Sequence, residues 1–219
     1  MLSTKRLAIG YRLIIMWLLT ALLLVGLGLF SQQVRAAEKT LLVYGDSLSA
    51  AYGIELEKGW VALLGDKLRQ THPKWQVVNL SISGETTSGG LSRLPKALKT
   101  HTPDLVLLEL GANDGLRGTP LKAIKDNFTA MMTMMAKEKI PVLLFEMHMP
   151  PNYGTAYTKR FNGIYKDLSE TFSVPLVPFF LEGVAGHAEL NQPDGIHPTA
   201  KAQPKLFENV WPSLKPHLK

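Results

Sequence analysis

The stretch Thr40-Leu41-Leu42-Val43-Tyr44-Gly45-Asp46-Ser47-Leu48-Ser49 decides the fold. A short apolar run breaks abruptly at a turn-forming Gly-Asp-Ser. A run that is apolar throughout, rather than at alternate positions, marks a strand buried on both faces. The same pattern recurs along the chain. Residues 76–80 close at Ser81-Ile82-Ser83-Gly84, and residues 105–110 close at Gly111-Ala112-Asn113-Asp114-Gly115; residues 141–147 and 174–179 read as a fourth and a fifth strand. Between these runs apolar residues recur at spacings of three and four: Trp60, Leu63, Leu64 and Leu68; Leu91, Leu94 and Leu98; Leu121 through Met135; Phe161 through Phe172. A last helix is expected after Pro198, with Pro204 limiting its early turns. Strands alternating with helices predict an α/β fold, a three-layer α/β/α sandwich around a five-stranded parallel sheet. With strand order 2-1-3-4-5, the loops after strands one, two and three meet at the topological switch point, where such sheets bind ligands. Those loops carry Ser47, Gly84 and Asn113.

The N-terminus reads differently. Lys5, Arg6 and Arg12 precede an apolar run from Leu13 to Phe30, followed by Val34-Arg35-Ala36-Ala37. A charged region, an apolar region and small residues at a cut site describe a secretory signal peptide. Cleavage is placed after Ala36, giving a signal over 1–36 and one domain over 37–219. An uncleaved anchor is the rival reading, because the apolar run is long enough to span a bilayer. The chain has 24 Lys and Arg against 18 Asp and Glu. Residues 1–36 hold four of the basic residues and no acidic one, which leaves the mature domain at a net charge of +2. No polybasic stripe is present, so nucleic acid is excluded as a partner. The chain has no cysteine, which rules out cysteine nucleophiles and thiolate metal sites. No metal-ligand spacing, phosphate loop or dinucleotide fingerprint appears.

Each block has a plain reading beside a chemical one. Ser47, just past a strand, is a helix cap or a nucleophile set among amides that face an oxyanion. The Gly-x-Ser-x-Gly elbow is absent, since position 49 is Ser. Gly84 and Asn113 are turn residues or oxyanion donors. Asp194 and His197, three apart on a turn before Pro198, are a surface loop or a carboxylate that orients a base. His148 follows the fourth strand with no evident orienting acid, and reads as structural or peripheral.

In this order, Gly-Asp-Ser-Leu-Ser, the later Gly, Gly-x-Asn-Asp and Asp-x-x-His resemble the four motif blocks of the GDSL, or SGNH, hydrolases. Longer matches at residues 80–86, 113–118, 151–154, 174–180 and 194–198 resemble a branch of that family: exported bacterial acyl-CoA thioesterases with arylesterase and lysophospholipase activity. The resemblance implies Ser47, His197 and Asp194 as a catalytic triad, and Ser47, Gly84 and Asn113 as the oxyanion hole. It implies no cofactor, a periplasmic or secreted monomer, and an acyl ester, thioester or lysophospholipid as substrate, with peripheral contact to membrane lipid. The acyl chain is expected along Met149, Pro150, Pro151 and Tyr153, after the fourth strand. The alternatives on the same scaffold are a short-chain carbohydrate deacetylase and a non-catalytic lipid-binding protein.

Overall fold

Strand pairing follows the order expected from the apolar runs. In the computed structural model, which describes residues 38–219, the strands are β1 (Lys39–Gly45), β2 (Trp75–Asn79), β3 (Leu105–Glu109), β4 (Val142–Phe145) and β5 (Leu176–Val177). They pair in parallel in the order β2-β1-β3-β4-β5. The signal-peptide reading of residues 1–36 lies outside the described residues. Glu38–Lys219 form one compact unit. Among the described residues no helix is long and apolar enough to cross a membrane.

The helices are α1 (Trp60–Thr71), α2 (Thr87–His101), α3 (Ala112–Leu116), α4 (Leu121–Lys137), α5 (Thr155–Phe172) and α6 (Gln203–Leu214). Right-handed crossovers from a central strand outward in both directions put helices on both faces. Helix α4 packs between α2 and α5 on one face, and α1 packs on α6 on the other. The first face closes over Tyr44, Phe128, Phe161 and Tyr165, with Tyr165 edge-on to Phe128 and Phe161; the second closes over Trp60, Phe145 and Phe180, whose rings meet edge-on or tilted. The buried side chain of Gln203 joins α6 to α1 by accepting the Trp60 N–H at 2.9 Å.

Several boundaries differ from the sequence expectation, each for a local reason. The fifth strand shrinks to two residues because Pro175 and Pro178 flank it and cannot donate to a ladder. Strand β2 lies on the sheet edge and is only partly buried. Helix α2 begins four residues before Leu91, where Thr86 caps it by accepting the Gly89 N–H at 3.2 Å. Helix α5 begins six residues before Phe161, on turns that are largely exposed, with Tyr157 turned inward against Phe161. Pro204 sits in the first turn of α6, where its missing N–H goes unneeded.

The end of β1 is set by a close approach. A Cβ on Gly45 would lie 2.5 Å from Glu109 Oε2, 3.0 Å from the Glu109 carbonyl oxygen and 3.0 Å from Ser49 Oγ. Two of these neighbours are fixed, one by the β3 main chain and one by its own hydrogen bond to Glu109. We expect Gly45→Ala to destabilise the protein by ~1–3 kcal/mol, the usual cost of overpacking. Urea denaturation checks this, and an unchanged midpoint would mean that the Glu109 carboxyl gives way freely.

Candidate active site

Ser47, Gly84 and Asn113 come together at the carboxyl edge of the sheet because β1 lies between β2 and β3. The loops continue the strand contacts past the sheet: the Leu80 N–H donates to Val43 O and the Ile82 N–H to Gly45 O. Asn79 at the end of β2 donates its amide to Ser49 O at 2.8 Å.

Ser47 is buried, and its Oγ lies 2.9 Å from His197 Nε2. On the far side of the ring, His197 Nδ1 lies 2.7 Å from Asp194 Oδ2. The other Asp194 oxygen accepts the N–H groups of Ile196 at 2.9 Å and His197 at 3.0 Å. These backbone donors, and then the imidazole, lower the Asp194 pKa to about 2. The carboxylate therefore stays ionised over the whole range in which a histidine changes charge.

Gly84 takes left-handed backbone, φ +78°, which suits a residue without a Cβ. Among the described residues, neither the Ser47 nor the Gly84 main-chain N–H donates to a protein acceptor. Asn113 lies in the short helix α3, which the flanking glycines had disguised as a turn. Its Nδ2 lies 3.0 Å from Asp46 Oδ2 and 3.0 Å from Glu85 O, so both amide protons have an acceptor.

Polar side chains that the motif reading passed over hold these loops. Asp46 is fully buried; Oδ1 accepts the Leu48 N–H at 3.0 Å and Oδ2 accepts from Asn113. Burial raises its pKa to about 6. Beneath it Glu109, also fully buried, accepts from Ser49 Oγ at 2.7 Å and from the Asp46 N–H at 3.2 Å. Burial and then the negative Asp46 push the Glu109 pKa well above the carboxylate range. The Asp114 carboxylate accepts the Thr87 N–H at 2.8 Å and Thr87 Oγ1 at 2.7 Å, tying α3 to the start of α2. Arg93 lies flat over the Tyr44 ring and bonds Glu85 Oε2 at 2.5 Å and Leu80 O at 2.7 Å, anchoring both ends of the Gly84 loop. One signal for this was in the sequence: Glu109 is a charged residue inside a run read as buried on both faces.

The acyl-chain residues divide. Met149 is buried, packed under Gly115 and against the site's own scaffold, whereas Pro150 and Pro151 are exposed and Tyr153 is partly so. The Tyr153 hydroxyl donates to Leu116 O at 3.2 Å, joining this loop to α3. His148 does have an acid beside it: Nε2 lies 3.1 Å from Glu146 Oε1, and the ring stacks on Phe179 at 4.1 Å. The sequence hid that pair because the two residues are only two apart at a strand end. Among the described residues, no group of three His, Asp or Glu side chains is placed to hold a metal ion.

This chain is similar to proteins of known name. Esterase TesA of Pseudomonas aeruginosa is 49% identical over 201 residues, covering 90% of this chain and 99% of its own. An Escherichia coli K12 protein named thioesterase 1/protease 1/lysophospholipase L1 is 43% identical over 181 residues, 83% of this chain and 86% of its own. The crystal structure of the psychrotrophic esterase EstA from Pseudoalteromonas sp., inhibited by monoethylphosphonate, shares the fold with a TM-score of 0.78 and 43% identity, over 82% of this chain and 98% of that one. The GDSL-like Lipase/Acylhydrolase family model matches residues 43–203, and with relatives this similar the chain belongs to that family, a hydrolase of the GDSL esterase/thioesterase type.

Proposed function

We propose that the protein hydrolyses acyl esters and thioesters through an acyl-enzyme on Ser47. The observation that carries the reading is the continuous relay from Ser47 Oγ to His197 Nε2 at 2.9 Å and from His197 Nδ1 to Asp194 at 2.7 Å. His197 takes the Ser47 proton as Oγ attacks the acyl carbonyl. Asp194 holds the tautomer with Nδ1 protonated and stabilises the imidazolium that forms. The oxyanion is met by the Ser47 and Gly84 N–H groups and by one amide proton of Asn113. The substrate oxygen takes the place of Glu85 O on Asn113, while Asp46 keeps the other proton and so fixes the amide's direction. His197 then protonates the leaving alcohol or thiol, and water repeats the sequence on the acyl-enzyme. The phosphonate inhibition of the Pseudoalteromonas relative supports the reading, since phosphonates imitate the tetrahedral intermediate at an activated hydroxyl.

The rim supports a fatty-acyl or other apolar substrate over a carbohydrate ester. The large apolar side chains that are exposed among the described residues are Tyr52, Leu56, Ile82, Tyr153 and Ile196. Each lies on a connection leaving the carboxyl end of a strand, the edge that carries Ser47. A deacetylase acting on sugars calls for a polar, open cleft instead. The acyl chain is assigned to the loop of Pro150, Pro151 and Tyr153, with Met149 supporting it from below.

One assay tests the chemistry and the acyl assignment together: the purified mature chain against ester, thioester and lysophospholipid substrates of graded acyl length. Ser47→Ala and His197→Ala are expected to lose at least ~10³-fold in turnover while keeping the fold. Tyr153→Ala is expected to shift the preferred chain length and leave short esters unaffected. Normal turnover by Ser47→Ala sinks the mechanism; an unchanged length profile for Tyr153→Ala sinks only the acyl assignment.

Asp46 gives a separate, pH-dependent test. A carboxyl with a folded pKa near 6 and an unfolded one near 4 takes up its proton first in the native state. Its contribution is therefore greatest below about pH 4 and is lost as pH rises through about 6. Asp194, shifted the other way, contributes above about pH 4 and loses that contribution as pH falls toward 2. Asp46→Asn removes the first dependence and, with it, the charge that helps to raise the Glu109 pKa. Its stability relative to the parent is expected to rise between pH 4 and pH 7, by roughly 3 kcal/mol at most. Denaturation at the two pH values measures this, and a constant difference would mean that Asp46 is ionised throughout.

We further propose that the enzyme is exported to the periplasm or secreted after cleavage behind Ala36, leaving 37–219 as the mature domain. Support comes from the charged, apolar and small-residue order of 1–36 and from the compact unit that begins at Glu38. N-terminal sequencing of protein from the exporting cell should begin at Ala37; an intact Met1 would favour the anchor.

A further inference from the structure

We propose that Tyr52 and Gln192 are positioning residues for the His197 imidazole, an inference that rests on the acyl-transfer reading above. The Tyr52 ring lies against the His197 ring, with centroids 4.4 Å apart and planes at 41°. Tyr52 is nevertheless 50% exposed. A large aromatic that leaves half its surface in water while resting, tilted, against one histidine is poorly explained as core packing.

The imidazole has a mechanical need that Asp194 alone does not meet. A single Nδ1 contact at 2.7 Å fixes one end of the ring and leaves it free to tilt about that contact. Nε2 must nevertheless stay on Ser47 Oγ and then on the leaving group. A bulky aromatic neighbour against the ring blocks the tilt, and an aromatic ring within 4.4 Å also favours the imidazolium that forms during the step.

Gln192 holds Tyr52 in that place. Its Nε2 lies 2.8 Å from Tyr52 O and 3.2 Å from Pro198 O, and its main-chain N–H donates to His197 O at 2.7 Å. One residue thus bonds the main chain of the Ser47 loop and the main chain on either side of the His197–Pro198 peptide. From the Ser47 side, the Tyr52 N–H donates to Ser47 O at 3.2 Å. Ala51, next to it, takes left-handed backbone, φ +57°, a conformation that a non-glycine residue keeps only when its surroundings impose it. The nucleophile loop and the base loop are separate in sequence by 140 residues at this contact. Their relative placement therefore depends on such a clamp.

The test is steady-state kinetics on a short aryl ester, whose acyl group is too small to reach the rim. Tyr52→Leu and Gln192→Ala are expected to lower kcat about 10-fold with KM within about twofold, the size of effect that a small misplacement of a reacting group produces. Tyr52→Phe is expected to keep kcat within about twofold of the parent, because the ring rather than the hydroxyl makes the contact. The double variant Tyr52→Leu/Gln192→Ala is expected to lose little more than the worse single variant, since both act on one placement. A rise in KM with kcat unchanged would make Tyr52 a substrate contact and overturn the proposal. So would a Phe variant as slow as the Leu variant, or losses that multiply in the double variant. Ser47→Ala and His197→Ala run in the same assay separate the two levels: if they retain turnover the triad itself fails, whereas if they are dead and Tyr52→Leu is fully active only the positioning role fails.

Discussion

The burial of the Asp46 carboxylate is the constraint on which the site depends. A charge or a polar group withdrawn from water must find partners within the fold or cost several kcal/mol. Asp46 finds them in the Leu48 N–H and the Asn113 amide, and so ties the first loop to the third across the sheet. The partners in turn fix two elements of the candidate oxyanion hole: the turn that carries the Ser47 N–H and the direction of the Asn113 side chain. Glu109 beneath completes the arrangement. Being pushed toward its neutral form, it can sit against Asp46 without two full negative charges facing each other. Gly45 is glycine because the Glu109 carboxyl occupies the space where a side chain would go. Two buried acids, Asp46 past the end of β1 and Glu109 on β3, thus set the surroundings of the Gly-Asp-Ser block.

Parallel topology delivers the loops to one edge, but it does not make them rigid. That is done by polar ties running between neighbouring connections: Asp114 to Thr87, Arg93 to Glu85 and Leu80, Gln192 to Tyr52 and Pro198. Their partners lie from 6 to 140 residues apart in sequence, and most ties have one partner on the main chain. Loops held in this way resemble packed elements more than free connections, which is what a site needing sub-ångström placement requires. Tyr153 and Arg117 extend the pattern, the first reaching Leu116 O and the second Gly84 O at 3.0 Å.

Much of this was legible in the sequence, for identifiable reasons. The runs that form β1, β3 and β4 are apolar almost throughout because both faces are covered, Glu109 being the buried charged exception. Alternating strands and helices point to a parallel sheet, and in the order 2-1-3-4-5 such a sheet brings the loops of Ser47, Gly84 and Asn113 to one edge. Less was legible where the cause is non-local. Helix α3 was hidden by Gly111 and Gly115, since glycine argues for a turn wherever tertiary packing is ignored. The two-residue β5 owed its shortness to flanking prolines, a local signal that its apolar content outweighed. Asp46, Thr87, Asp114 and Gln192 matter through partners 27 to 140 residues away, and no spacing rule exposes such pairs. Met149 looked like a groove residue from its position after β4, yet its side chain turns inward beneath Gly115.

Asp46 and Asp194 show how one residue type serves opposite ends on one site. Asp194 is partly exposed and takes two main-chain N–H groups, which hold its pKa near 2. Asp46 has no contact with water, and burial outweighs its hydrogen bonds and raises its pKa to about 6. The first environment suits a permanent negative charge that orients a base and answers the positive charge it acquires. The second suits a geometric role, in which the carboxyl's two acceptor positions matter more than its charge. Pairs of titratable groups driven apart by their surroundings are a general mark of acid–base sites, but here the separation divides chemistry from scaffolding. The apolar rim extends that division outward. The loop tips above carry Tyr52, Ile82, Tyr153 and Ile196 as exposed apolar side chains.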